Sequence, residues 1–178
     1  MRVFLSAFEA LHADWSGIVW TLAVATMVVG TVVGVARSSV KRMLAYSSIA
    51  HGGYLLVALI ANNDVGKGAV LFYLLAYAVT NLGAFGVIAM LDTVERPNDE
   101  VRDYAGLWHQ HPALITIFLL SLGGFPPLAG FIAKSYVFSA AVKAGYYWLA
   151  IVGVLTSVVS VFFYLLIAIA SVPHRSRA

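Results

Sequence analysis

The chain has 178 residues, of which 61% are hydrophobic and 11% are charged, and its formal net charge is +3. Soluble domains are about 45–50% apolar and about 25% charged, so this composition excludes an ordinary soluble protein and indicates an integral membrane protein. The chain has no cysteine, which excludes disulfides, thiolate-bound iron–sulfur clusters and cysteine-based zinc sites.

Five segments are long and apolar enough to cross a bilayer, for which about 20 apolar residues suffice. We predict a short amphipathic lead at residues 1–16, without a signal-peptide cleavage pattern, a transmembrane domain at residues 17–172 and a tail at residues 173–178. The runs are too long and too uniformly apolar for strands, so the predicted fold is all-α. The expected spans are residues 18–36, 43–61, 69–91, 113–141 and 147–172, with a cytoplasmic loop at residues 92–112.

The basic residues are distributed unevenly between the two ends of the spans. Seven fall on one side, and three, Arg2, Lys67 and Lys143, fall on the other. Because basic loops stay in the cytoplasm, the amino terminus is expected outside and the carboxyl terminus in the cytoplasm or its organellar equivalent. A bacterial cytoplasmic membrane is the expected location. The seven are Arg37, Lys41, Arg42, Arg96, Arg102, Arg175 and Arg177.

The second span carries a polar face on an otherwise apolar helix, which Ser38 or Ser39 is expected to cap. Ser47 and Ser48 lie about one turn before His51, and Tyr54 lies nearly one turn after it. An imidazole titrates near neutral pH and can relay protons. A buried histidine can equally bond a neighbouring helix and only pack, so both interpretations stay open. The pair Gly52 and Gly53 predicts a close approach of another helix.

The third span has a polar stripe that contains Tyr73, Tyr77 and Thr80 or Asn81. Such a stripe can hold a file of waters, or it can supply hydrogen bonds between helices, each stabilising by about 0.6 kcal/mol. The second interpretation is favoured by the residues alone. On the fifth span, Ser157 and Ser160 are interpreted as packing residues.

The fourth span is interrupted by Gly123, Gly124, Pro126 and Pro127, which cannot continue a regular helix. Beyond the break lies Lys134, the only Lys, Arg, Asp or Glu within any of the apolar runs. A charge at membrane depth costs at least ~2.5–3.5 kcal/mol and usually marks an ion or proton pathway, and broken helices often hold such sites. Buried amines hold their proton less firmly than solvated ones. Alternatively, the side chain extends its ammonium to the membrane surface.

Three motifs stand out along the spans. They are VKRMLAYSSIAHGGYLLVALIA (Val40–Ala61), VLFYLLAYAVTNLGAFGVIAML (Val70–Leu91) and SLGGFPPLAGFIAKSYVFSAAV (Ser121–Val142). Together they resemble the antiporter-like N subunits of respiratory complex I, the proton-translocating NADH:quinone oxidoreductase, within the wider family that includes Mrp antiporter subunits. The lysine of the third motif is what distinguishes the N subunits.

The resemblance implies roles for individual residues. Lys134 corresponds to the lysine of the family's second broken helix, Tyr77 to a position on its central hydrophilic axis, and His51 to the histidine of the preceding span. The chain resembles only the carboxyl-terminal part of the family's subunits, with most of one antiporter-like five-helix repeat. A carboxyl-terminal fragment is therefore expected, without the family's first broken helix and its lysine.

The resemblance also implies a function. We expect a membrane-arm subunit of NADH:quinone oxidoreductase that translocates protons through Lys134 and a hydrated polar axis. We expect no catalytic, cofactor-binding or metal-binding residue in this chain, because NADH, quinone, flavin and iron–sulfur clusters belong to the rest of the complex. The expected partners are other membrane-arm subunits and the lipid bilayer, not nucleic acid.

Two further interpretations are compatible with the same motifs. One is a subunit of a cation/proton antiporter or of a membrane-bound hydrogenase, and the other is a non-functional or scaffold fragment. The choice of quinone, the ion carried and an acidic partner for Lys134 in another subunit stay open on the sequence.

Overall fold

The computed structural model describes residues 11–91 and 112–170, which form six helices and no extended strand. The predicted all-α class is therefore confirmed for this part of the chain. The predicted loop, the tail and most of the amphipathic lead lie outside the described residues. The helices are α1 (His12–Val35), α2 (Val40–Ala61), α3 (Asp64–Leu91), α4 (Pro112–Gly123), α5 (Ala129–Lys143) and α6 (Tyr147–Ala170).

Helices α1 and α2, together with residues Asp64–Gly86 of α3, are long and apolar enough to cross a membrane. Helix α6 contains a shorter apolar stretch, Tyr147–Phe162. Helices α4 and α5 have 12 and 15 residues, or roughly 18 Å and 22 Å of length, so neither spans a hydrocarbon core of about 30 Å alone. Together they form the discontinuous span that the sequence predicted.

The helix ends follow from local capping. The Ser39 hydroxyl accepts a hydrogen bond of 3.4 Å from the Arg42 amide, which confirms a serine cap on α2 and assigns it to Ser39. At the α2–α3 turn, the Asn63 side chain accepts from the Gly66 amide at 2.7 Å and donates to the Ala140 carbonyl at 2.9 Å. This one amide therefore caps α3 and joins the turn to the end of α5.

Helices α1 and α2 pack with their backbones close together at two glycines. A Cβ on Gly30 would lie 2.7 Å from the Ala50 backbone nitrogen, and one on Gly53 would meet the side chains of Met27 and Thr26. The close approach predicted at Gly53 is therefore confirmed. Gly52, its neighbour, faces open space, because adjacent helical residues point in different directions.

The buried interior consists of two hydrophobic clusters, and Tyr77 packs against both. The first lies between α1, α2, α3, α5 and the start of α6, and it includes the fully buried Tyr54 and Val137. The second joins the start of α2 to α3, α4 and Tyr164 of α6. The break between α4 and α5 lies where these two clusters meet, so it is covered by protein on its inner side.

Candidate functional site

The break between α4 and α5 frees two particular carbonyl groups. In a continuous helix the carbonyls of Leu122 and Gly123 would accept hydrogen bonds from the amides four positions later. Those positions are Pro126 and Pro127, which have no amide hydrogen. Helix α4 ends at Gly123, and the chain turns at Gly124 with a φ of 89°. The sequence itself therefore determines which two acceptors lose their helical partners.

Lys134 occupies both of these acceptors. Its Nζ donates to the Gly123 carbonyl at 2.7 Å and to the Leu122 carbonyl at 3.2 Å. Side chains on a helix lean toward its amino terminus, so a lysine on the second turn of α5 reaches back to the break. The residue is 3% exposed. An ammonium extended to the membrane surface is thus contradicted, because the group points inward at the carboxyl end of α4, where the helix dipole favours a cation.

Two glycines make this arrangement possible. A Cβ on Gly124 would lie 3.0 Å from the Lys134 Cδ atom, and the positive φ disfavours any other residue there. A Cβ on Gly130 would overlap the carbonyl oxygen of Ser121. The Ser121 hydroxyl accepts a bond of 3.4 Å from the Gly130 amide, which is one of the unpaired donors at the start of α5. The two half-helices are therefore joined directly across the break.

The Tyr54 ring lies beside the ammonium. The distance from the Lys134 Nζ to the ring centroid is 5.2 Å, within the range of a cation–π contact. The Tyr54 hydroxyl lies 3.3 Å from the Thr156 hydroxyl on α6. The ring meets those of His51 and Phe138 edge to face, each with centroids 5.7 Å apart. Tyr54 thus connects the lysine on α5 with the histidine on α2.

His51 is the centre of a second group of polar contacts. Its Nδ1 lies 2.6 Å from the Tyr73 hydroxyl, and its ring stacks on Tyr77 with centroids 4.7 Å apart. The Tyr77 hydroxyl donates to the Ser48 hydroxyl at 2.8 Å. The hydrogen bond to a neighbouring helix that the packing interpretation requires is therefore present. The same bond joins two groups that can exchange protons, so the relay interpretation keeps its geometric basis.

A small cavity of about 10 Å³ separates the histidine from the break. That volume is close to the minimum of about 10–15 Å³ that a single water needs. Tyr73, Tyr77 and Thr80 all line it, whereas Asn81 does not. The cavity is therefore too small to hold the file of waters that the stripe could have lined. Its remaining lining residues are His51, Ala76, Ser121, Leu122, Gly130 and Ala133.

The three predicted site residues, Lys134, His51 and Tyr77, lie in one cluster, together with the break. Reasoning from the sequence did not identify Tyr54 as the partner of the lysine, or Ser121 as a cap for α5. The two freed carbonyls could have been found, because their partners four positions later are prolines. Tyr54 could not, because its contact depends on how α2 packs on α5. Ser160 donates to the Thr156 carbonyl of its own helix at 2.9 Å, as a packing residue would.

Within residues 11–91 and 112–170, no group of three or more His, Asp or Glu side chains could hold a metal ion. The buried polar groups of the cluster are an amine, an imidazole, hydroxyls and backbone carbonyls. These groups suit hydrogen bonding and proton exchange.

Comparisons with known proteins agree on one family. The family model described as NADH:quinone oxidoreductase/Mrp antiporter, TM, matches residues 1–160. The chain is 52% identical over 168 residues to NADH-quinone oxidoreductase subunit N of Trichlorobacter lovleyi, covering 93% of this chain and 34% of that protein. It is 45% identical to NAD(P)H-quinone oxidoreductase subunit 2 of Synechocystis sp., covering 93% and 32%. The chain thus spans about a third of the length of these relatives.

Solved structures show the same fold. A chain in the structure of respiratory complex I from Thermus thermophilus with bound Aureothin is similar with a TM-score of 0.77 and 33% identity, covering 90% of this chain and 37% of that one. A chain of the Mrp complex from Dietzia sp. DQ12-45-1b is similar with a TM-score of 0.84 and 25% identity, covering 93% and 31%.

Proposed function

Because the chain belongs to the NADH:quinone oxidoreductase/Mrp antiporter transmembrane family, we propose that it serves in the membrane arm of a NADH:quinone oxidoreductase. In this proposal the chain translocates protons through Lys134, His51 and Tyr77, driven by electron transfer elsewhere in the enzyme complex. The observation that carries the proposal is the buried Lys134 ammonium, held by two backbone carbonyls that the prolines leave free.

The neutrality of these acceptors suits a group that must gain and lose a proton. A buried lysine paired with a carboxylate is held in its charged form, because loss of the proton would leave an uncompensated buried charge. Carbonyls carry no net charge, and a neutral amine still has hydrogens to donate to them. The Lys134 site can therefore exist in both protonation states without a change in its hydrogen-bond partners.

A route away from the lysine is supported by the contacts around His51. The cavity of about 10 Å³ is at the lower limit of volume for one water, and it is lined by His51 and by Leu122, whose carbonyl accepts from Lys134. A water there would lie between the histidine and the break. The Nδ1 atom of His51 contacts the Tyr73 hydroxyl, and Tyr77, whose hydroxyl donates to Ser48, lines the same cavity. Imidazole and hydroxyl groups both donate and accept protons, so a water in this cavity can pass a proton to His51 or to Tyr77, and from Tyr77 toward Ser48 on α2.

The surroundings of the chain follow from the same proposal. Its partners are other membrane-arm subunits and lipid, and it binds no nucleic acid. NADH, quinone, flavin and iron–sulfur clusters are bound by other subunits, and this chain contributes no redox centre. The membrane is a bacterial cytoplasmic membrane, with the amino terminus outside and the carboxyl terminus in the cytoplasm, as the excess of basic residues on one side favours.

A cation/proton antiporter subunit is a second candidate, because the fold is also similar to a chain of the Mrp complex from Dietzia. The identities of 52% and 45% to quinone oxidoreductase subunits, against 25% to the Mrp chain, favour the first function. Proton uptake that requires NADH and is unchanged by sodium would support the first candidate. Uptake that depends on a sodium gradient would support the second.

The proposal is tested by Lys134→Met in the assembled enzyme, measured as NADH-driven proton uptake into membrane vesicles. We expect the ratio of protons to electrons to fall, because the variant has no group that can carry a proton at the break. Lys143→Met is the matched control, since it makes the same chemical change at the exposed end of the same helix. An unchanged ratio in an assembled Lys134→Met enzyme would contradict the proposal.

A further inference from the structure

The contact between Lys134 and Tyr54 suggests a role for the aromatic ring. We propose that Tyr54 is a positioning residue. It holds the Lys134 ammonium against the face of its ring and so favours the charged form of the lysine over the neutral amine. This inference rests on the proposed function of Lys134. Its basis is the distance of 5.2 Å between the Nζ atom and the ring centroid, at a place where both residues are buried.

The Tyr54 ring is fixed from several directions. The side chain is 0% exposed, and its hydroxyl is tied to Thr156 on α6 at 3.3 Å. The rings of His51 and Phe138 meet it edge to face. A ring with a bonded hydroxyl and two aromatic neighbours cannot turn away from the lysine without losing these contacts, so its face is held toward the ammonium.

The ring contact differs in kind from the two hydrogen bonds. The carbonyls of Leu122 and Gly123 accept a hydrogen from either form of the amine. The negative face of an aromatic ring attracts a cation and does not attract a neutral amine in the same way. The helix dipole at the end of α4 and the two charge-assisted hydrogen bonds also favour the ammonium, but the backbone makes them. The contact with Tyr54 is the described side-chain contact that favours the charged form and that a substitution can remove.

The hydroxyl of Tyr54 suggests a different role, that of a proton relay. That group bonds Thr156, however, and the lysine lies over the ring face rather than beside the hydroxyl. If the face is what matters, Tyr54→Phe retains the function and Tyr54→Leu loses it. If the hydroxyl is what matters, both variants lose it. The two roles are thus separated by one pair of substitutions.

The test uses the assembled enzyme in native membranes, with NADH-driven proton uptake as the readout. We expect Tyr54→Phe to keep at least half of the uptake and Tyr54→Leu to lose on the order of tenfold, since a contact of this type contributes enough for such a change when it is desolvated. Tyr136→Leu is the matched control. It removes an exposed aromatic ring of α5, the helix of Lys134, that contacts Phe72 and not Tyr54, and we expect less than a twofold loss.

A graded series then separates electronic from structural effects. Phenylalanines with one, two or three ring fluorines at position 54 keep the ring shape while weakening the negative charge of its face. We expect proton uptake to fall stepwise with each fluorine, which a purely structural role would not produce. If the phenylalanine variants do not assemble, fluorinated tyrosines, which keep the hydroxyl, provide the same series.

Three results would overturn the role of Tyr54. They are normal uptake in Tyr54→Leu, loss of uptake in assembled Tyr54→Phe, and a fluorine series with no slope. If one of these results is found while Lys134→Met loses proton uptake, the role of the Tyr54 ring is rejected, and the proposed role of Lys134 in proton transfer still holds. Normal uptake in Lys134→Met would instead reject the proposed function on which the inference rests.

Discussion

Two of the connections between consecutive helices, the α2–α3 turn and the α4–α5 break, contrast in how they satisfy the backbone. Each leaves helix-end backbone groups that need new partners. At the turn, the side-chain amide of Asn63 satisfies Gly66 and Ala140, next to the exposed Asp64 and Lys67. At the break, the partner is a buried lysine ammonium. An amide has fixed hydrogens and can only hold the chain, whereas an amine can also release a proton.

The turn and the break also differ in the free energy that their capping groups cost the folded protein. An asparagine at a helix end is stabilising wherever water is near. A lysine in the interior must be removed from water, which costs several kcal/mol for a charged group and is offset only by good partners. A protein that needed only to end a helix would have little reason to use the second solution. This energetic cost favours a role for Lys134 beyond capping the helix.

The largest effect is expected at the contact that joins the two half-helices. Gly130→Ala places a methyl group onto the Ser121 carbonyl, where backbone would have to move. We expect a loss of about 3 kcal/mol of stability or more, at the upper end of overpacking effects, together with loss of proton uptake. The measurements are thermal unfolding in detergent and vesicle uptake. Gly52→Ala is the control, because its Cβ would meet nothing within 4 Å.

An intermediate effect is expected from Tyr73→Phe, which removes the hydroxyl bonded to His51 at 2.6 Å. A buried nitrogen left without its partner costs about 1–3 kcal/mol. Proton uptake should fall, because the proposed route passes through His51. Normal uptake with lowered stability would contradict that role and leave His51 as a packing residue. Tyr77→Phe, which keeps the stacked ring on His51 but loses the bond to Ser48, should have the smaller effect on stability.

The smallest effect is expected at the turn. Asn63→Ala removes the cap of α3 and should cost about 1 kcal/mol of stability, with proton uptake per electron unchanged. Asn63→Asp should recover part of the stability, because it keeps the acceptor for Gly66 but not the donor for Ala140. A change in the proton-to-electron ratio in either variant would remove the distinction between the two interruptions.

The sequence predicted the break between the half-helices and drew attention to Lys134, because both depend on local chemistry. Gly124 and the two prolines stop a helix wherever they occur, and a lone lysine is conspicuous in an apolar run. The period of the third span likewise placed Tyr73 and Tyr77 on one face, where they line the cavity.

Contacts between helices could not be predicted in the same way. The approach of Tyr54 to Lys134 depends on the packing of α2 against α5, and the close approach of Gly130 to Ser121 depends on the angle between the half-helices. Both are set by the shapes of many side chains, and no local pattern encodes them. The first turns of α1 and α3 lie before the apolar runs, at His12 and Asp64, because a helix can continue past the hydrocarbon while its backbone bonds are satisfied and an acidic residue suits its amino terminus.

The most direct measurement of the central claim is a high-resolution cryo-EM map of this chain in the proposed membrane-arm assembly. We expect a span interrupted between Gly123 and Ala129, with the Lys134 Nζ within hydrogen-bonding distance of the Leu122 and Gly123 carbonyls and beneath the Tyr54 ring. A continuous helix through this segment, with the amine extended toward the lipid headgroups, would contradict it.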